Sequence, residues 1–160
     1  MLTLLFLLAF TFVGITFFGY GVHWMLHQKW MGKYYTAHMA HHEKLYPPTD
    51  FLSETYRDAG AESTFWFFLI SGAPLVILPV VLLFLGKLSF FVTALVVIEA
   101  VTLGLVSNYL HDSFHIKDHF LNFFSWFKTL VKLHYQHHVD MNTNFGIFFF
   151  LWDKLFKTFR

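Results

Sequence analysis

Hydrophobic and polar positions fall in long blocks along this chain. Residues 1–22 carry no charge and are interrupted only by Thr3, Thr11, Thr16 and three glycines. Residues 65–85 repeat the pattern without a charge, and 88–110 repeat it with a single one, Glu99. About 20 consecutive apolar residues span a bilayer's hydrocarbon core, so the blocks predict membrane helices at 2–22, 65–85 and 88–110. The first block has neither a basic n-region nor a small-residue cleavage site, and it reads as a retained helix rather than a secretory signal. Pro74 and Pro79 predict a kink in the second. Gly86 and Lys87 leave room only for a turn, which makes the second and third blocks a hairpin. Between the blocks, Lys29, Lys33 and Lys44 place residues 28–44 outside the lipid. Pro47-Pro48 makes a stiff loop. Residues 120–132 are aromatic-rich and suit the interface or a re-entrant segment. Residues 145–152 are apolar but too short to span.

Composition sharpens this picture. Only 13% of residues are charged, about half the share in a soluble domain, and Phe alone occurs 23 times. Lipid is therefore part of the solvent. The expected fold is all-α: a single domain over 1–160, an integral-membrane bundle of three to four helices with a histidine-rich helical cap. Topology puts every histidine on one membrane face. Ten of the eleven Lys and Arg residues fall on that face and only Lys87 on the other, which the positive-inside rule reads as cytoplasmic. A net charge of +1 with no basic stripe gives no sign of nucleic-acid binding. With no cysteine, thiolate zinc sites, iron–sulfur clusters and a Cys nucleophile are excluded. Glu99, in mid-span, is expected to be protonated and bonded to a neighbouring helix, away from the site.

The candidate chemistry lies in the histidines. His38-Met39-Ala40-His41-His42 and His134-Tyr135-Gln136-His137-His138 share one spelling. A spaced pair precedes each, His23 and His27 before the first, His111 and His115 before the second. Ten of eleven histidines fall into this twice-written pattern. On a helix, positions i, i+3 and i+4 share a face, so each triplet is expected to point one way. His111, His115 and His119 are likewise expected on one face of a continuing helix. Ten imidazoles exceed one ion's need and suffice for two. Their second nitrogens need partners, for which Glu43, Asp112, Asp118, Asp140, Asn142 and Asn144 stand nearby. A metal site at the membrane surface suggests a lipid substrate entering from the bilayer.

The four histidine groups, together with Asn144-Phe145-Gly146 and Trp152-Asp153-Lys154-Leu155-Phe156-Lys157-Thr158, resemble the fatty acid hydroxylase / sterol desaturase superfamily. The resemblance implies an integral-membrane oxygenase with a dinuclear, di-iron centre that uses O2 and two electrons on an unactivated C–H bond. It implies ten metal ligands: His23, His27, His38, His41, His42, His111, His115, His134, His137 and His138, with His119 as the alternative to His111. Zinc is able to fill the same all-nitrogen set. Lys157 stands where glycine is common in the family, a change read as neutral. No cytochrome b5-like domain is fused to this stretch, so electrons are expected from a separate cytochrome b5-, ferredoxin- or reductase-like donor. The same scaffold also serves desaturation, carotenoid hydroxylation and aldehyde-to-alkane chemistry. A b-type membrane cytochrome and a metal transporter are the non-enzyme alternatives.

Overall fold

The computed structural model describes the backbone of residues 2–57 and 64–160 and the side chains of 4–57 and 72–160. These described residues form helices and no strand. Three long helices, α1 (Leu2–Leu26), α3 (Thr64–Phe84) and α4 (Phe90–Phe114), carry three short ones, α2 (Lys33–Ala40), α5 (Ser125–Val139) and α6 (Leu151–Leu155).

Each long helix forms where the sequence is continuously apolar. Leu4–Leu26 and Phe90–Phe114 are long and apolar enough to cross a membrane. Only 11% of each span is buried inside the protein, and Phe6, Phe10, Phe90, Ile98 and Leu105 stand exposed. Water does not tolerate two such surfaces on a small domain. Of the block at 65–85, the side chains before residue 72 lie outside the described residues. The described part, Gly72–Phe84, is apolar. Ser89 Oγ caps α4 by accepting from the Val92 N–H at 3.3 Å, after a turn in which Gly86 takes φ +66°, open to glycine at no steric cost. Glu99 meets the Thr11 hydroxyl of α1, an inter-helix bond of the kind the sequence predicts.

One expectation about helix extent is corrected. The helix through His111 stops at Phe114 with His115 as its cap, so His119 lies beyond it, at the start of a 3-10 turn. The loop after Pro48 explains the stop. Ser53 pairs with the chain there, its N–H donating to the His115 carbonyl at 2.9 Å and its carbonyl accepting from Lys117 N–H at 3.0 Å. The stretch 145–152 neither spans nor lies free. It folds back on α1, where Trp152 Nε1–H donates to Thr16 Oγ1 at 3.2 Å and the Trp152 ring packs tilted against Phe17, 4.8 Å between centroids.

Below the histidines sit two apolar clusters, one around Val22 and Leu26 and one around Leu110, Phe114 and Phe127. They anchor α1, α4 and α5, the helices that carry His23, His111, His134, His137 and His138.

Candidate metal centre

The imidazoles gather into two sets. One holds His23, His27, His38, His42 and His137, the other His41, His115, His134 and His138, and in each set one nitrogen per ring lies within 4.8 Å of the rest. His111 belongs to neither set by this measure, but its ring is 4.9 Å from that of His41 and 4.8 Å from that of His134. His119 is apart. Its Nε2 is 3.1 Å from the Tyr109 hydroxyl and its Nδ1 accepts from Leu121 N–H.

The expectation that each triplet points one way is corrected. Residues at i and i+4 stay together, His38 with His42 and His134 with His138, while the intervening His41 and His137 go to the opposite set. Adjacent helical residues diverge by about 100°, so each His-His dipeptide divides between the sets. At the first dipeptide the helix also widens: His41–Leu45 is π-helical, closed by Tyr46 N–H to the His41 carbonyl at 2.9 Å. Such widenings are concentrated at functional sites. Here it accompanies the turn of His41 away from His38.

Nitrogen spacing fits coordination. His27 and His38 bring Nε2 atoms to 2.9 Å, His38 and His42 to 3.2 Å, and His115 and His134 to 3.1 Å. Ligands about 2.1 Å from a common ion are about 3 Å apart when adjacent. Tautomers fit as well. Nδ1 of His23 donates to the Phe145 carbonyl at 2.7 Å, that of His137 to Thr143 at 2.6 Å, that of His138 to Tyr46 at 2.8 Å, and that of His115 to Phe51 at 3.1 Å. A carbonyl only accepts, so Nδ1 carries the proton and Nε2 keeps its lone pair. The Nε2 atoms of His23, His41, His111, His137 and His138 are buried without a partner, a cost that a bound cation removes.

A family model described as "Fatty acid hydroxylase" matches residues 8–158. The chain belongs to the fatty acid hydroxylase family. No curated protein and no solved structure matches it significantly. Membership brings metal dependence, membrane association and lipid substrates at the level of the family.

In this hydroxylase-family chain the two histidine sets are largely buried. Burial, reinforced by neighbouring imidazoles, holds His38, His41, His42, His115, His134 and His137 well below the usual histidine range, and pushes His138 down to about 3. Neutral imidazoles are the form that binds a metal. Aromatic rings wall the sets: Tyr46 stacks 3.9 Å from His115, Phe51 lies 4.7 Å from it, and Phe145 packs 5.3 Å from His27 and 5.6 Å from His137.

The expected carboxylate partners are largely replaced by backbone. Of the six polar residues named from the sequence, Asp112 alone approaches a ring nitrogen, 3.4 Å from His111 Nδ1. Asp140 closes a turn with Asn142, and Asn144 holds residues 133 and 160. Backbone takes that role, through the carbonyls of Tyr46, Phe51, Thr143 and Phe145, none of them named from the sequence as a histidine partner. A carbonyl leaves no mark in a one-letter code, so no local signal reveals them.

Asp153 stands in the Trp152–Thr158 stretch that carries the family resemblance, with no role of its own assigned from the sequence. It is fully buried; its carboxylate accepts from Phe145 N–H at 2.7 Å, Gly146 N–H at 2.9 Å and Thr158 Oγ1 at 2.9 Å. Burial pushes this carboxyl above its ordinary value, and those donors oppose the shift. Gly146 is needed for the approach, since a Cβ there would sit 2.6 Å from the Phe149 carbonyl and 2.8 Å from Asp153 Oδ2.

An apolar cavity of about 450 Å³ opens beside the sets, between α1, α3, α4 and the segment 145–149. Gly19, Gly72 and Gly104 line it, and His111 is the one predicted ligand on its wall.

Proposed function

We propose that this protein is a dinuclear-metal, O2-dependent oxygenase that hydroxylates a C–H bond of a fatty-acyl or related lipid. The ten histidines of the twice-written pattern would hold the two ions, five from the His23 set, four from the His41 set, and His111 completing the second. With iron bound, the pair would supply O2 activation, the reaction consuming two electrons and two protons and yielding an alcohol and water.

One observation supports the reading: the apolar cavity is lined by His111, the proposed fifth ligand of the second set, whose buried Nε2 has no protein partner. A lipid chain in that cavity lies against the second histidine set, while Phe51, Tyr46 and Phe145 keep water from the rings. The carbonyls of Phe145, Thr143, Tyr46 and Phe51 orient four imidazoles and hold their protons at Nδ1. The third helix, α3, completes a three-span bundle, and the histidines face the cytoplasm, where a separate electron-donor protein docks.

The test is reconstitution of the full chain with ferrous iron, a reductase system and lipid extract under labelled O2, with His137→Ala as control. Label in an alcohol product supports hydroxylation. An unlabelled alkene assigns desaturation on the same centre. A Soret band in the purified protein would replace the reading with a cytochrome, and metal flux in proteoliposomes with a transporter.

A further inference from the structure

We propose that the bond between Glu99 and Thr11 sets the depth of the cavity and hence the longest alkyl chain the site accepts; this rests on the reading of the cavity as the lipid-chain site.

On α4 the cavity wall runs from His111 back to Ala100. At about 1.5 Å per residue that is roughly 16 Å, about half the thickness of a hydrocarbon core. On α1 it runs back from Val22 to Ile15. The next residue beyond Ala100 is Glu99, and one turn beyond Ile15 is Thr11. Neither lines the cavity, yet their side chains meet across the two helices where its wall ends.

The Thr11 hydroxyl also lies 2.9 Å from the Leu7 carbonyl of its own helix, so the contact is tied into the backbone of α1. Glu99 is the one charged residue of the 88–110 block. In hydrocarbon a separated carboxyl has no water to turn to, so the pair resists parting. It holds α1 against α4 at the level where a chain lying in the cavity must stop.

The bore above this floor is made differently. Gly104 stands two turns from His111 on the cavity wall, and a Cβ added there meets nothing within 4 Å. The bore is therefore open because side chains are missing, and the floor is closed because a polar pair is present. Substitutions at the two places must change chain length in opposite directions.

The experiment measures binding of a homologous series of saturated straight-chain fatty acids to the full chain in detergent, by native mass spectrometry, for Thr11→Val, Glu99→Leu, Glu99→Gln and Gly104→Leu. Thr11→Val and Glu99→Leu are expected to move the preferred length upward by a few methylenes, up to about one helical turn or roughly 5 Å. Glu99→Gln keeps a partner for Thr11 and should stay close to wild type. Gly104→Leu should move the preference downward. If Gly104→Leu shortens the preference while Thr11→Val leaves it at the wild-type length, the floor assignment is overturned and the chain-site reading survives. If none of the four alters binding, the chain-site reading falls and the floor with it. Thr11→Val changes one hydroxyl to a methyl, so it decides the matter even where Glu99→Leu fails to fold.

Discussion

Asp153 reaches His23 through a single residue: its carboxylate accepts the Phe145 N–H at 2.7 Å, and the Phe145 carbonyl accepts Nδ1–H of His23 at 2.7 Å. A residue near the chain's end thus fixes the ring of the first histidine, 130 positions earlier in the sequence.

Asp153→Ala leaves two buried N–H groups without acceptors, a loss of about 2–5 kcal/mol. Thermal unfolding should register it, and metal analysis should show a weakened His23 set. Gly146→Ala should reproduce part of the effect, about 1–3 kcal/mol of overpacking, because its Cβ would crowd the Phe149 carbonyl and the Asp153 carboxylate itself. Wild-type metal content in Asp153→Ala would break the proposed link to His23.

His119 and His137 should separate cleanly. His137→Ala removes a ring of the first set and should lower bound metal per chain and abolish turnover. His119→Ala loses the Tyr109 contact, an N-terminal cap worth about 0.5–2 kcal/mol and ring contacts with Phe120 and Phe127, and should retain full metal content. A metal deficit in His119→Ala would restore it as a ligand.

Acid should unfold the metal-free protein from the histidine side. The cited imidazoles have folded-state values well below the ordinary 6.5, so below that pH the unfolded chain binds more protons than the folded one. Stability is then fully present above about pH 7 and declines as pH falls, by about 1.4 kcal/mol per pH unit for each such histidine. Protons compete with metal in the same direction. A melting temperature that stays flat between pH 7 and pH 5 would contradict the burial of the sets.

Lys157 takes φ +60°, which corrects the reading of this position as neutral. A side chain in that left-handed region costs about 1–2 kcal/mol, and glycine carries no such penalty. Lys157→Gly should raise the melting temperature, by an amount corresponding to about 1 kcal/mol, without altering metal content.

The chain's own order of residues determined which segments are apolar enough to leave water and which residue type does the chemistry. Block hydrophobicity and histidine spacing are local properties, and α1, α4 and the ten-imidazole pattern follow from them. Tertiary structure alone decided how the rings are shared. His41 and His137 cross to the opposite set because neighbouring helical residues diverge by about 100°, and the partner elements that receive them are remote in sequence. It also decided what orients them. The carbonyls of Tyr46, Phe51, Thr143 and Phe145 are chemically the same as any other carbonyl in the chain. Only the folding of 45–57 and 143–160 against the helices brings them to Nδ1, and only the burial of Asp153 makes its carboxylate a clamp rather than part of a solvated tail.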